Sequence, residues 1–369
     1  MALRPEDERF MAAAIRLSRT HLGLTSTNPS VGCLIVKDGA VIGSAVTALG
    51  GRPHAEPQAL AEAGEAARGA TAYVSLEPCS HHGKTPPCAE ALIAYGVARV
   101  VISVTDPDQR VSGRGIALLR DAGIEVDAGI LEEEGRRALA GYLTRQTKNR
   151  PYVTLKLAVS ADGMIGKTGE GQVRITGDIA RAQVQVLRAE SDGILVGIGT
   201  AIADDPELTC RLPGLESRSP LRIVIDDQLQ LPLGSKLVKT APQYGLIIVA
   251  GDPPPFDVNI DKAFLDRRAA LDAAGAEVLQ SSSGEPGELL EALGTRGISS
   301  LLVEGGARTA QRFLATDLVD RILLFQGPAT IGEGGIESPI TKTNIPSSFR
   351  HIRASRFGDD RCDEFERGF

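Results

Sequence analysis

Both halves of the chain predict an α/β fold, in which short apolar strands alternate with amphipathic helices. Three observations predict it. Runs such as VGCLIV (31–36), TAYVSL (71–76) and ARVVISVT (98–105) have the length and β-branched composition of buried strands. Stretches at 6–20, 178–190 and 307–316 repeat their apolar residues at helical spacing. A charged helix at 131–147 is stopped by Pro151 and followed at once by a new strand, which divides the chain into 1–147 and 148–369. A length of 369 residues is also more than one ordinary core accommodates.

In order, an amphipathic helix at 6–20 leads through the turn Asn28-Pro29 to the strand 31–36, where Cys33 is expected in the core. Lys37-Asp38-Gly39 is a hairpin signal opening into a second strand at 40–48. A helix from His54 to about Arg68, the strand 71–76, a helix beginning at Cys88, the strand 98–105, a helix near 115–122 and the strand 124–129 complete the first half. This order implies a central mixed sheet covered by helices. In the second half, strands are predicted at 152–160, 193–199, 221–226, 244–251 and 300–306. Helices are predicted at 178–190, 260–274, 286–294 and 307–316, and no repeat relates the two halves.

Composition excludes several classes. With 42% hydrophobic and 24% charged residues the chain is globular rather than disordered. A formal charge of −7, 4% aromatic residues and no Trp speak against a nucleic-acid partner, which calls for a basic, stacking surface. No apolar run approaches the length that crosses a bilayer, so no membrane partner is expected. Five cysteines without a disulfide-like spacing point to a reducing, cytoplasmic setting.

The chemistry of the first half is concentrated between residues 54 and 88. His54-Ala55-Glu56, Glu77-Pro78-Cys79 and Pro86-Pro87-Cys88 supply one imidazole and two thiols. Three such ligands suit a tetrahedral zinc whose fourth position stays open for water, the arrangement of a catalytic rather than a structural site. Zinc acidifies a bound water, and a carboxylate that is not a ligand can relay the proton to a departing amine. Glu56 is the candidate. Residues two apart do not face each other along a helix, so His54 and Glu56 are expected at a helix start, with Pro53 just ahead. Cys88 is expected at a second helix N-terminus, where the dipole favours a thiolate. Eight residues separate Cys79 from Cys88, where a general deaminase pattern has two.

In the second half, Val303-Glu304-Gly305-Gly306-Ala307 joins a strand to a helix through two glycines, a turn that lets backbone N–H groups approach a phosphate. The stretch 197–211 mixes Gly, Thr and acidic residues and ends in Arg211, and Arg188 and Arg308 are further phosphate candidates. These residues support a nucleotide or phosphate site.

Taken together, HAE (54–56), LEPCSHHGKTPPC (76–88), DPDQRVSGRG (106–115), LKLAVSADG (155–163), ILVGIGTAIADDPELT (194–209), RIVID (222–226) and VEGGA (303–307) resemble the bifunctional deaminase/reductase family of riboflavin biosynthesis across the whole chain. The long Cys79–Cys88 spacing is part of that resemblance. It implies a cytidine-deaminase-like three-layer α/β/α domain followed by a dihydrofolate-reductase-like α/β domain. The first would deaminate a phosphoribosylated diaminopyrimidinone with zinc held by His54, Cys79 and Cys88, Glu56 carrying protons, and Asn28 and Lys84 touching substrate. The second would use NADPH to reduce the ribosyl group to ribityl. Cofactor contacts are implied at Ala158, Arg174, Thr200, Asp204, Asp227 and the loop Gly306, Ala307, Arg308, Thr309, Ala310, Gln311 and Arg312. Substrate contacts are implied at Gln172, Arg188, Leu208, Arg211 and Glu304. The resemblance further implies a homo-oligomer joined through the reductase domain.

The chain departs from the family pattern in three places: Thr47 where a histidine is frequent, Gln172 and Arg174 where Ser and Trp are frequent, and Met164 where Arg is frequent. Rival readings remain a single-activity deaminase with a degenerate nucleotide domain, a nucleic-acid deaminase, and a non-enzymatic zinc module.

Overall fold

The computed structural model describes residues 4–82, 86–108, 112–251, 258–281 and 285–368. The chain forms two compact units, Met1–Arg150 and Pro151–Phe369. The division lies three residues beyond the expected 147/148, because the helix there runs to Lys148 and Asn149 turns left-handed (φ 52°) to end it.

The first unit is built from helices α1 (Asp7–Ser18), α2 (Ala55–Ala63), α3 (Cys88–Tyr95), α4 (Arg114–Asp121), α5 (Glu132–Ala138) and α6 (Ala140–Lys148). Its strands are β1 (Gly32–Lys37), β2 (Ala40–Val46), β3 (Thr71–Leu76), β4 (Arg99–Val104) and β5 (Glu125–Ala128). They lie in the order β2-β1-β3-β4-β5, antiparallel at β2/β1/β3 and parallel at β3/β4/β5. The β1–β2 hairpin turns on Asp38 (φ 50°) and Gly39 (φ 75°), the two left-handed residues that match strand twist.

Alternation along β1 assigns the faces. Cys33 and Ile35 pack with α2, α3 and Leu119 of α4, while Leu34 and Val36 pack with Phe10, Met11 and Ile15 of α1. Two expected helices are interrupted. The helix after His54 breaks at Gly64, and the one expected at 131–147 breaks at Leu139, a buried core residue outside helical geometry (φ −102°, ψ 8°).

A buried ion pair ties α1 to the sheet. Asp7 accepts from Arg99 Nη1 (2.7 Å) and Nη2 (2.8 Å), from the Tyr73 hydroxyl (2.8 Å) and from the Arg4 N–H (2.9 Å). Burial alone would raise its carboxyl, but these donors bring it down to about 2. The folded pKa lies below the ordinary value of 3.8, so the pair stabilises fully above about pH 4 and is lost as pH falls toward 2. Asp7→Asn is expected to destabilise the first unit by about 2–3 kcal/mol at neutral pH, about two pKa units' worth. Urea midpoints should draw together with the wild type as pH falls through about 2, below the folded pKa; a gap as wide there as at neutral pH would refute the account.

The second unit carries β6 (Tyr152–Val159), β7 (Met164–Lys167), α7 (Asp178–Ala189), β8 (Gly193–Gly197), α8 (Ile198–Asp204) and β9 (Leu221–Ile225). There follow α9 (Lys236–Lys239), α10 (Ala241–Tyr244), β10 (Leu246–Ala250), α11 (Val258–Ala273), β11 (Glu277–Gln280) and α12 (Pro286–Thr295). The chain ends with β12 (Ser300–Val303), α13 (Ala307–Leu314), β13 (Arg321–Gln326), β14 (Gly335–Glu337), β15 (Phe349–Phe357) and β16 (Asp360–Arg367). Nine strands form one sheet, β11-β10-β9-β8-β12-β6-β13-β16-β15, parallel up to β13 and antiparallel through the terminal hairpin; β7 and β14 pair separately. Apolar clusters cover both faces of the sheet. Sequence expectation stops at residue 316, so the whole C-terminal ribbon is additional, as are β7, β11 and helices α8, α9 and α10.

Candidate active sites

In the first unit, His54 is the residue that caps α2 (ψ 168°), so Ala55 and Glu56 open the helix and Pro53 lies outside it. The extended His54 and helical Glu56 are thereby turned into one region, which a regular helix would prevent. Cys79 follows the end of β3, and Cys88 is the first residue of α3. The His54 Nδ1 atom lies 3.3 Å from Cys88 Sγ and 3.7 Å from Cys79 Sγ, and the three donor atoms fall within 4.8 Å of one another. Ligands of a tetrahedral zinc at ordinary bond lengths stand about 3.5–3.8 Å apart, so the donor set fits that ion in type and spacing.

Cys88 stands at a helix N-terminus, as the two prolines before it predict. The backbone N–H of Cys88, at the start of α3, points at Cys79 Sγ (3.3 Å) rather than serving its own thiol. Hydrogen bonding from Cys88, followed by His54, brings the Cys79 thiol down to about 4, while Cys88 is pushed well above the usual range by that same bond and by burial. Glu56 is 3% exposed, and burial, with the Cys79 charge adding to it, raises its carboxyl to about 7.

Asn28 is half-buried beside Gly51, where an added Cβ would stand 2.4 Å from its amide nitrogen. Glycine at 51, three residues before His54, thus brings Asn28 up to the ligand segment. Thr47 is buried and its hydroxyl accepts the Val31 N–H (2.9 Å), closing the end of β1. Lys84 lies outside the described residues.

In the second unit, the carboxyl ends of the parallel strands open into a cleft of about 940 Å³. Ala158, Gln172, Arg174, Thr200, Asp204, Arg211, Asp227, Glu304, Gly306, Ala307, Arg308, Thr309 and Arg312 all line it. Leu208 and Ala310 do not: their side chains belong to the apolar cores. Gln311 is exposed on α13 and is not among the lining residues. The glycines of 305–306 serve close approach, since a Cβ on Gly306 would come within 2.8 Å of Thr200 Oγ1.

Arg188 also borders the cleft, but its guanidinium is committed. It makes a two-pronged pair with Glu304 (2.8 and 3.0 Å) and donates to the Thr209 carbonyl (3.1 Å). Arg188 lines the cleft within this pair, and the carboxylate compensates its buried charge. Burial would raise the Glu304 carboxyl, yet Arg188 and Lys156 hold it below its usual range. Arg174 stands on the cleft rim, paired with Asp178 in the first turn of α7.

The sequence alone also matches known proteins. Residues 151–362 match the RibD C-terminal domain family, and residues 4–104 match the cytidine and deoxycytidylate deaminase zinc-binding region. The riboflavin biosynthesis protein RibD of Aquifex aeolicus is 37% identical over 99% of both chains. The chain belongs to the RibD family. The Escherichia coli RibD protein is 38% identical over 89% of each chain. A structure of Acinetobacter baumannii RibD superposes with a TM-score of 0.85 at 33% identity, covering 99% of both chains. A Thermotoga maritima structure described as a diaminohydroxyphosphoribosylaminopyrimidine deaminase/5-amino-6-(5-phosphoribosylamino)uracil reductase gives 0.83 at 32% identity, covering 98% of this chain and 99% of that one. Membership makes the chain a bifunctional deaminase and reductase of riboflavin biosynthesis, with a zinc-binding deaminase half and a reductase half that takes a nicotinamide cofactor. Membership also disfavours a non-enzymatic zinc module and fits an enzyme acting on a small molecule.

Two residues of these sites went unassigned in the sequence. Lys156 on β6 faces the reductase cleft with its Nζ 4.0 Å from Glu304 Oε2, and burial pushes its ammonium pKa down. Its sequence signal was a lone cation in the apolar run YVTLKLAVS. Glu77 is buried just past the end of β3, two residues before the candidate ligand Cys79. No helix among the described residues is long and apolar enough to cross a membrane.

Proposed function

We propose that the unit Met1–Arg150 deaminates 2,5-diamino-6-(5-phosphoribosylamino)pyrimidin-4(3H)-one at its 2-amino group. The unit Pro151–Phe369 then reduces the ribosyl group of the product to ribityl with NADPH. The observation that carries this reading is the convergence of His54, Cys79 and Cys88 beside the buried Glu56. His54, Cys79 and Cys88 would hold zinc, which when bound acidifies a water at the open position. Glu56 takes the proton from that water and passes it to the amine, which leaves as ammonia while oxygen joins the ring carbon. Burial supports this role by keeping the Glu56 carboxyl ready to carry a proton near neutral pH. Asn28 and Lys84 are assigned to the base and phosphate of this substrate.

Reduction of ribosyl to ribityl adds a hydride to the sugar carbon attached to nitrogen and a proton to the sugar oxygen. NADPH supplies the hydride. Lys156, the buried cation with a loosened proton, supplies the proton, and Glu304 orients it. Thr200, Asp204, Asp227 and the α13 N-terminus are assigned to the cofactor, and Gln172 and Arg211 to the substrate, whose phosphate Arg211 suits. The cations Arg174, Arg181 and Arg308 around the cleft favour the phosphorylated nicotinamide cofactor. Self-association through the reductase half is supported by β15, which forms an edge of the nine-stranded sheet. A cytoplasmic setting is supported by five free cysteines.

Ammonia release and NADPH oxidation on the phosphoribosylated diaminopyrimidine test the reading. Ammonia is expected without cofactor, with NADPH then consumed in equal amount. NADPH oxidation preceding ammonia release would reverse the proposed order, and silence in both assays would sink the substrate assignment.

A further inference from the structure

Glu77 makes a set of contacts that zinc binding does not require. Its backbone N–H donates to Val104 O (2.9 Å), fastening it between the ends of β3 and β4. Its Oε2 accepts the N–H groups of Asp106 (3.3 Å) and Gly113 (3.0 Å), and its Oε1 those of Gly115 (3.0 Å) and Ile116 (3.2 Å). Gly115 and Ile116 lie in the first turn of α4, where N–H groups lack helical partners and the dipole is positive. One buried carboxylate thus serves as the anion of that helix end.

The glycines of the segment complete the fit. Gly113 is left-handed (φ 73°), and a Cβ on Gly115 would stand 2.1 Å from the Pro78 carbonyl oxygen. The start of α4 is therefore pressed onto Pro78, the residue preceding Cys79. In parallel α/β sheets, connections leaving the carboxyl ends of neighbouring strands border the ligand crevice. Cys79 leaves β3, and the segment 106–115 leaves the adjacent β4.

We propose that Glu77 is a positioning residue of the deaminase, holding Asp106, Gly113 and the first turn of α4 as a wall of the substrate site. This rests on the zinc site assigned above. A rival role, supporting the metal ligands, is disfavoured because all four bonds of the carboxylate run to 106–116. None of its bonds among the described residues reaches His54, Cys79 or Cys88.

The test uses the full-length zinc enzyme and the phosphoribosylated diaminopyrimidine. Glu77→Gln places an NH2 donor against N–H donors, so the wall should shift while the ligands stay. The expected result is a KM for deamination raised about tenfold or more, with kcat within about threefold. Zinc should remain at one per chain, and NADPH oxidation on the deaminated substrate should be unchanged. Loss of zinc, a fall in kcat at constant KM, or unchanged kinetics would each overturn the proposal. Should Glu77→Gln fail to fold, Gly115→Ala displaces the same wall from Pro78, and the same split between KM and kcat decides. A wild-type enzyme without ammonia release would overturn the zinc-site assignment as well, whereas variants matching an active wild type overturn this inference alone.

Discussion

Glu56→Gln is expected to lower ammonia release by about a thousandfold, within the range that proton transfer by a positioned side chain contributes. The amide keeps the shape of the side chain at the start of α2 but cannot take a proton from water. His54, Cys79 and Cys88 are untouched, so zinc should stay at one per chain by metal analysis. The reductase half, assayed with the deaminated substrate, should run at the wild-type rate. A variant that loses zinc together with activity would make Glu56 a ligand or a support for the ligands. One that keeps more than about a tenth of the wild-type rate would remove it from the proton path.

Lys156→Met is expected to lower NADPH oxidation by about a hundredfold or more in kcat, leaving ammonia release intact. Methionine keeps the length of the side chain on the cleft face of β6 and removes the proton. The substitution also leaves the Arg188–Glu304 pair in place, at 2.8 and 3.0 Å, so a general collapse of the cleft is not its expected effect. Cofactor affinity, followed by nicotinamide fluorescence, should change little. A variant with normal kcat and a raised KM would assign Lys156 to binding rather than to proton donation.

Much of the deaminase site could be read from residue types alone, because metal chemistry demands particular donors. One His, two Cys and a nearby carboxylate within 54–88 have few other common purposes. The place of Cys88 at a helix start followed from the prolines before it. Which sulfur the first N–H of α3 meets did not follow, since that contact runs across the site. Glu77 was visible as part of a motif, yet its four partners lie 29 to 39 residues further along the chain.

The reductase half was less legible. Glu304 and its glycines stood out as a strand–turn–helix signal, but Arg188 binds it from 116 residues away, a pairing that local spacing does not show. The terminal strands β15 (FRHIRASRF) and β16 (DRCDEFER) carry charges where simple alternation would place apolar groups. Pairs such as Arg353–Glu364 (2.6 Å) and Arg321–Glu364 (2.6 Å) neutralise those charges only once the strands are side by side.

By itself, the sequence determined the two α/β halves, the zinc donor set and the glycine turns, because each is set by residue type and short-range spacing. The tertiary structure decided which charges are committed to one another, which face of β6 carries Lys156 into the cleft, and which carboxylate accepts the first N–H groups of α4. Those outcomes depend on burial and on distances between residues far apart in the chain, and local spacing carries neither.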